Sequence, residues 1–93
     1  MIPEQRTSTH PGEVLLEEFL VPLGRAAEDL ALHVGVDATW LHGVIDGNCP
    51  ADAPLAWSLA MALGTTPEFW LNLQAAHDLS RTRPKQVVPR LAG

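Results

Sequence analysis

At 93 residues the chain has the length of one small domain, and its 46% apolar composition marks it as globular rather than disordered. Its apolar runs fall short of the roughly 20 residues that span a bilayer, and the opening MIPEQRTSTHPG lacks the basic-then-apolar pattern of a secretion signal. The net charge of −5 is uneven: residues 13–79 hold ten carboxylates against the single base Arg25, whereas residues 80–93 carry Arg81, Arg83, Lys85 and Arg90. An acidic body is disfavoured near a polyanion at long range and suits a basic protein partner. Cys49 stands alone, so an internal disulfide is excluded and a reducing, cytoplasmic setting is expected. A domain this small is marginal by itself, which favours a subunit partner.

No stretch alternates like a strand, and Gly and Pro cut the chain at helical intervals, which predicts an all-α fold. Residues 1–12 read as an N-terminal arm, 13–79 as the helical domain and 80–93 as a basic, extended tail holding two prolines. The first helix is predicted over 13–21, with Val14, Leu15, Phe19 and Leu20 on its apolar side and Pro22 and Gly24 closing it. His10, just before Pro11-Gly12, is placed either to cap this helix or to pack on the body. The second helix covers 26–34 and stops at Gly35. The third has Asp37 as its N-cap, Leu41, Val44 and Ile45 inside, and Gly47 at its end. A fourth starts from Asp52 and ends at Gly64, and Thr66 with Pro67 opens a fifth that runs to about residue 79.

The fourth helix carries more apolar surface than one contact needs. Ala56, Leu59, Ala60 and Leu63 form one stripe, while Met61 points almost opposite and Trp57 lies on the flank. Either the fifth helix folds over this surplus or a subunit covers it, and the two can coexist.

Enzyme chemistry finds no support. The histidines (His10, His33, His42 and His77) and Cys49 form neither HExxH nor CxxC, so no metal or cofactor is expected. No nucleophile stands beside a base and an orienting acid, and the adjacent Glu17-Glu18 pair reads as a solvated face. Residues 30–45, LALHVGVDATWLHGVI, instead have helix-turn-helix spacing. Ala31 is small where two helices cross, Gly35 permits a left-handed turn, and Leu41, Val44 and Ile45 face inward. An ordinary pair of packed helices satisfies the same pattern.

Four stretches carry a more specific signal: HPGEVLLEEFLVPLG (10–24), LALHVGV (30–36), LHGVIDG (41–47) and LAMALGTTPEFWLNLQAAHDL (59–79). Together they resemble HigA-type antitoxins, also called virulence-associated protein I, within the lambda-repressor-like helix-turn-helix superfamily. The resemblance implies a five-helix homodimer that neutralises a RelE-like, ribosome-dependent mRNA-cleaving toxin and represses its own operon. Its DNA-facing positions fall on Arg25 and Ala26, where relatives carry Ser-Gln, and on Ala38, where they carry Arg beside a capping Ser. A later Ser-Arg pair falls on His42-Gly43, so two arginines that read bases or phosphates are absent. Bidentate Arg contacts each supply about 1–3 kcal/mol of base discrimination. Thr39, Trp40, His42, Asn48 and Arg25 remain as candidate DNA contacts, Trp40 either packing on sugar–phosphate or buried against the second helix. Trp57 and Met61 are the candidate dimer interface, and a dimer sets two readers about 34–36 Å apart. The competing expectation is a protein-interaction module with a vestigial DNA surface.

Overall fold

The computed structural model describes residues 9–92, so residues 1–8 of the expected arm and Gly93 of the tail lie outside the described residues. Five helices form, and no strand occurs among the described residues. The first, α1 (11–23), runs through Pro11–Val14, a π-helical stretch Leu15–Leu20 and a closing turn Val21–Leu23. It is followed by α2 (Ala27–Val34), α3 (Ala38–Ile45), α4 (Ala53–Leu63) and α5 (Pro67–Arg81).

Helix α1 starts two residues earlier than its sequence predicts, because Pro11 occupies the first turn and His10 caps it. The His10 Nδ1 accepts from the Gly12 N–H at 2.9 Å, a role more often filled by Ser, Thr, Asp or Asn. Pro22 does not end the helix; it sits within the last turn. Proline has no N–H to give and its ring crowds the carbonyl four residues back. The π-type bonding just upstream, in which the Val21 N–H reaches the Leu16 carbonyl, carries the helix past that conflict. Gly24 then closes it in the left-handed region, φ 66°.

Leu15, Leu20, Leu30, Ala31, Leu41, Val44, Leu55, Ala56, Leu59 and Trp70 build one buried core. Trp70 is its largest fully buried side chain, and its indole N–H donates to Thr65 Oγ1 at 2.7 Å. Such a partner allows a polar indole nitrogen to enter an apolar core. Helix α5 packs most extensively on α4 and covers the Leu55–Ala56–Leu59–Ala60 side, leaving Trp57 59% and Met61 77% exposed. Folding thus covers one side of α4 only.

Gly12 marks where α1 crosses the end of α3. A Cβ there would lie 1.9 Å from the Val44 carbonyl oxygen, so the crossing admits no side chain. Next to it, the buried His10 ring meets His77 of α5 edge-on at 4.8 Å. Burial and the neighbouring His77 together hold the His10 pKa below its usual value. Gln74 of α5 completes this end, its Oε1 accepting from the Ala51 N–H at 2.7 Å and its Nε2 donating to Asp78 at 2.9 Å. After Arg81, residues 82–92 form no helix or strand and are exposed.

Candidate nucleic-acid interface

Helices α2 and α3 and the turn between them form the structural motif expected from residues 30–45. At the end of α2, Gly35 takes φ 79°, and the N–H groups of Gly35 and Val36 both reach the Ala31 carbonyl, at 2.9 and 3.0 Å. Helix α3 opens at Asp37, whose Oδ1 accepts from the Trp40 N–H at 2.9 Å. Ala31 is buried at 2% exposure, with Leu41 and Val44 in the same core, as a close crossing requires.

The start of α2 corrects the register expected for it. Ala26 is the N-cap and Ala27, 8% exposed, is the first helical residue. Neither Ala26 nor Ala27 has a side chain that can donate or accept a hydrogen bond, and the Ala26 side chain makes no cap bond. The Ala26 N–H is instead satisfied by Asp29 Oδ2 at 3.2 Å. Arg25 is exposed in the link before α2, where it lines a groove of about 330 Å³ with Leu20, Leu23, Asp29, Leu30 and His33, closed by Ala62 and Leu63 of α4. No residue of α3 lines that groove.

On α3 the candidates divide. Thr39 and His42 are exposed, and Asn48 is exposed just beyond the helix end. Ala38 and Trp40 are half-buried against the core, so Trp40 is neither fully exposed nor fully buried. Gly43 was expected as an outward position stripped of its side chain. Yet a Cβ there would come within 2.8 Å of Cys49 Sγ, so part of its surroundings is already filled from within the chain. Helix α3 carries no Lys or Arg.

His42 is not free to face solvent alone. Its Nε2 lies 2.5 Å from Oε1 of Glu28 in the first turn of α2, joining the two helices across the motif. That hydrogen bond holds the Glu28 carboxyl below the usual carboxylate range. Glu28 was not anticipated from sequence. It stands 14 positions before His42, and only the folded crossing brings the pair together. Among the described residues no group of three His, Cys, Asp or Glu side chains is arranged to hold a metal ion.

A two-helix motif bracketed by α1, α4 and α5, with one short helix presented outward, defines the helix-turn-helix class of DNA-binding domains. No family model matches the chain. Antitoxin HigA-1 of Vibrio cholerae is 46% identical over 79 residues, covering 85% of this chain and 74% of that protein. The structure of antitoxin GraA in complex with its operator superimposes with a TM-score of 0.85 at 34% identity and covers 100% of both chains. Antitoxin HigA of Pseudomonas aeruginosa, solved with the higBA promoter, matches with a TM-score of 0.78 at 29% identity over 81% of this chain and 82% of that one. The chain belongs to the HigA antitoxin family.

Proposed function

We propose that this chain is the antitoxin of a toxin–antitoxin pair, a homodimer that binds the operator of its own operon through α2 and α3 and neutralises a basic, RelE-like mRNA-cleaving toxin in the cytoplasm. The observation that carries this reading is the full-length match to GraA bound to its operator. Thr39, His42 and Asn48 are the exposed polar groups proposed to meet DNA on or next to α3, and Arg25 the proposed phosphate contact. The dimer is proposed on the outer side of α4, where Trp57 and Met61 are uncovered. A basic partner is suited by the groove of about 790 Å³ beside α1, whose lining holds Glu13, Glu17 and Asp46 together with His10, His77 and Arg81. No helix among the described residues is long and apolar enough to cross a membrane.

A second reading rests on the reading face itself. With no Lys or Arg on α3 and His42 bound to Glu28, the motif also suits an acidic support that holds a protein and no longer reads DNA. Titrating the chain against its own upstream duplex and a scrambled duplex at several salt concentrations separates the two. Preference for the upstream duplex supports the operator reading; binding to neither duplex at low salt overturns it in favour of the acidic support. Co-purification with the product of a short, basic neighbouring gene, and relief of that product's toxicity, tests the toxin arm. Unrelieved toxicity would remove the antitoxin role.

A further inference from the structure

At the start of α1 one buried side chain joins two helices. The Gly12 N–H is one of the first-turn donors that an α-helix leaves without a partner, and His10 Nδ1 accepts from it at 2.9 Å. The same ring is hydrogen-bonded to the backbone of Cys49. With Nδ1 as acceptor, the proton of the neutral ring sits on Nε2, so the bond to Cys49 is a donation to its carbonyl. The Cys49 N–H in turn donates to the Gly43 carbonyl of α3 at 3.1 Å, beside the Asn48 N–H at 2.8 Å. A chain of hydrogen bonds therefore runs from α1 through the imidazole to α3. The ring is 8% exposed, lies beside Gly47 and meets His77 of α5 edge-on.

Only the neutral ring fits this arrangement. A proton on Nδ1 turns an N–H toward the Gly12 N–H, donor against donor, and puts a cation near His77 and Arg81 of α5. Asp78 of α5 favours that cation, and Glu13 and Glu17 of α1 and Asp46 at the end of α3 line the same groove. We propose that His10 is a proton-operated latch on α3: neutral, it ties α1 to the loop that anchors this helix, and protonated, it lets that corner open while the α4–α5 core stays closed. Between the ordinary imidazole value and the lower value of the folded chain, opening rises by up to about tenfold per pH unit as pH falls, and it levels off below the folded value. The latch stands on these contacts alone. Its consequence for DNA rests on the operator reading given above: an open corner frees the end of α3, and operator affinity falls.

The test follows the full chain by NMR and amide exchange from neutral to mildly acidic pH, beside His10→Asn and His77→Gln, each checked by its thermal melt at neutral pH. His10 is expected in the Nε2–H tautomer and to titrate below the ordinary imidazole value, with His77→Gln raising its midpoint. After correction for intrinsic rates, the Gly12 and Cys49 amides lose protection by up to about tenfold per pH unit across that interval. The Leu59 and Trp70 amides keep theirs, and in His10→Asn, which caps without titrating, Gly12 stays protected throughout. A His10 ring carrying its proton on Nδ1, or Gly12 protection that ignores the His10 titration, overturns the latch. Leu59 opening together with Gly12 overturns it too, since the event is then global unfolding. At fixed salt, the wild type is expected to lose affinity for its upstream duplex on acidification more steeply than His10→Asn. Equal slopes overturn the DNA consequence alone, and binding to no duplex at any pH overturns the operator reading while amide exchange still decides the latch.

Discussion

At the end where α1 meets α5, polar side chains are spent inside the molecule. His10 caps Gly12 and packs on His77, Gln74 ties Ala51 to Asp78, and the Trp70 indole meets Thr65. On the α2–α3 face, Ala26 and Thr39 are exposed, and the Glu28–His42 pair is a polar side-chain link between α2 and α3. The difference separates what folding demands from what a partner demands. At the first end, His10, Gln74 and Trp70 are themselves buried, and each polar group among them has a hydrogen-bond partner within the chain. The outward groups of the second cost the fold little to change, so their identity is set by what they meet.

Substitutions can break that comparison. Trp70→Ala is expected to cost about 3–5 kcal/mol, because it empties the largest core site and leaves Thr65 without its indole partner. Chemical unfolding would show it as a lower midpoint at unchanged slope. Gly12→Ala comes next, at about 1–3 kcal/mol, since its methyl meets the Val44 carbonyl and backbone must move. A melting temperature equal to wild type would show that α1 and α3 do not cross there. Asp37→Ala removes the α3 cap and is expected to cost about 1 kcal/mol, with Asp37→Ser recovering most of it. Thr39→Ala, on the outward face, is expected within about 0.5 kcal/mol of wild type.

Acid sharpens the same contrast. The fold favours neutral His10, whose Nδ1 must be unprotonated to accept from Gly12, and its pKa lies below the usual imidazole value. Between the folded and unfolded values the unfolded chain therefore binds more protons. That stabilisation is complete above about pH 6.5 and is lost as pH falls through the lower, folded value. Replacing His10 with Asn, which caps without titrating, should flatten the fall of stability between neutral and mildly acidic pH. An unchanged slope would assign the acid sensitivity elsewhere.

Most of the fold is legible in the residues that punctuate it. Asp37, Asp52 and Thr66 accept at their predicted caps, and Gly24, Gly35 and Gly64 take the left-handed conformation at helix ends. The start of α1 is less legible, because His10 is an unusual cap and becomes one only where a second histidine and the α3 end enclose it. The π-helical stretch is hidden for another reason: an apolar run before Pro22 looks the same whether the helix stops or widens. At the candidate site, sequence indicates which side chains are missing but not which remaining ones are taken. Gly43 against Cys49 and Glu28 against His42 are contacts between non-adjacent segments, and no local spacing announces either.

The three tryptophans fall in three settings on three helices. Trp70 is fully enclosed, Trp40 is half-buried on α3 and Trp57 of α4 is 59% exposed. Indole emission moves to the blue in apolar surroundings, and a soluble quencher reaches only rings that water reaches. The molecule therefore contains its own optical reporters. Single-tryptophan versions would let Trp70 follow loss of the core and Trp40 follow events at the recognition helix. Trp57 would follow whatever comes to lie on the outer side of α4, all without an added dye.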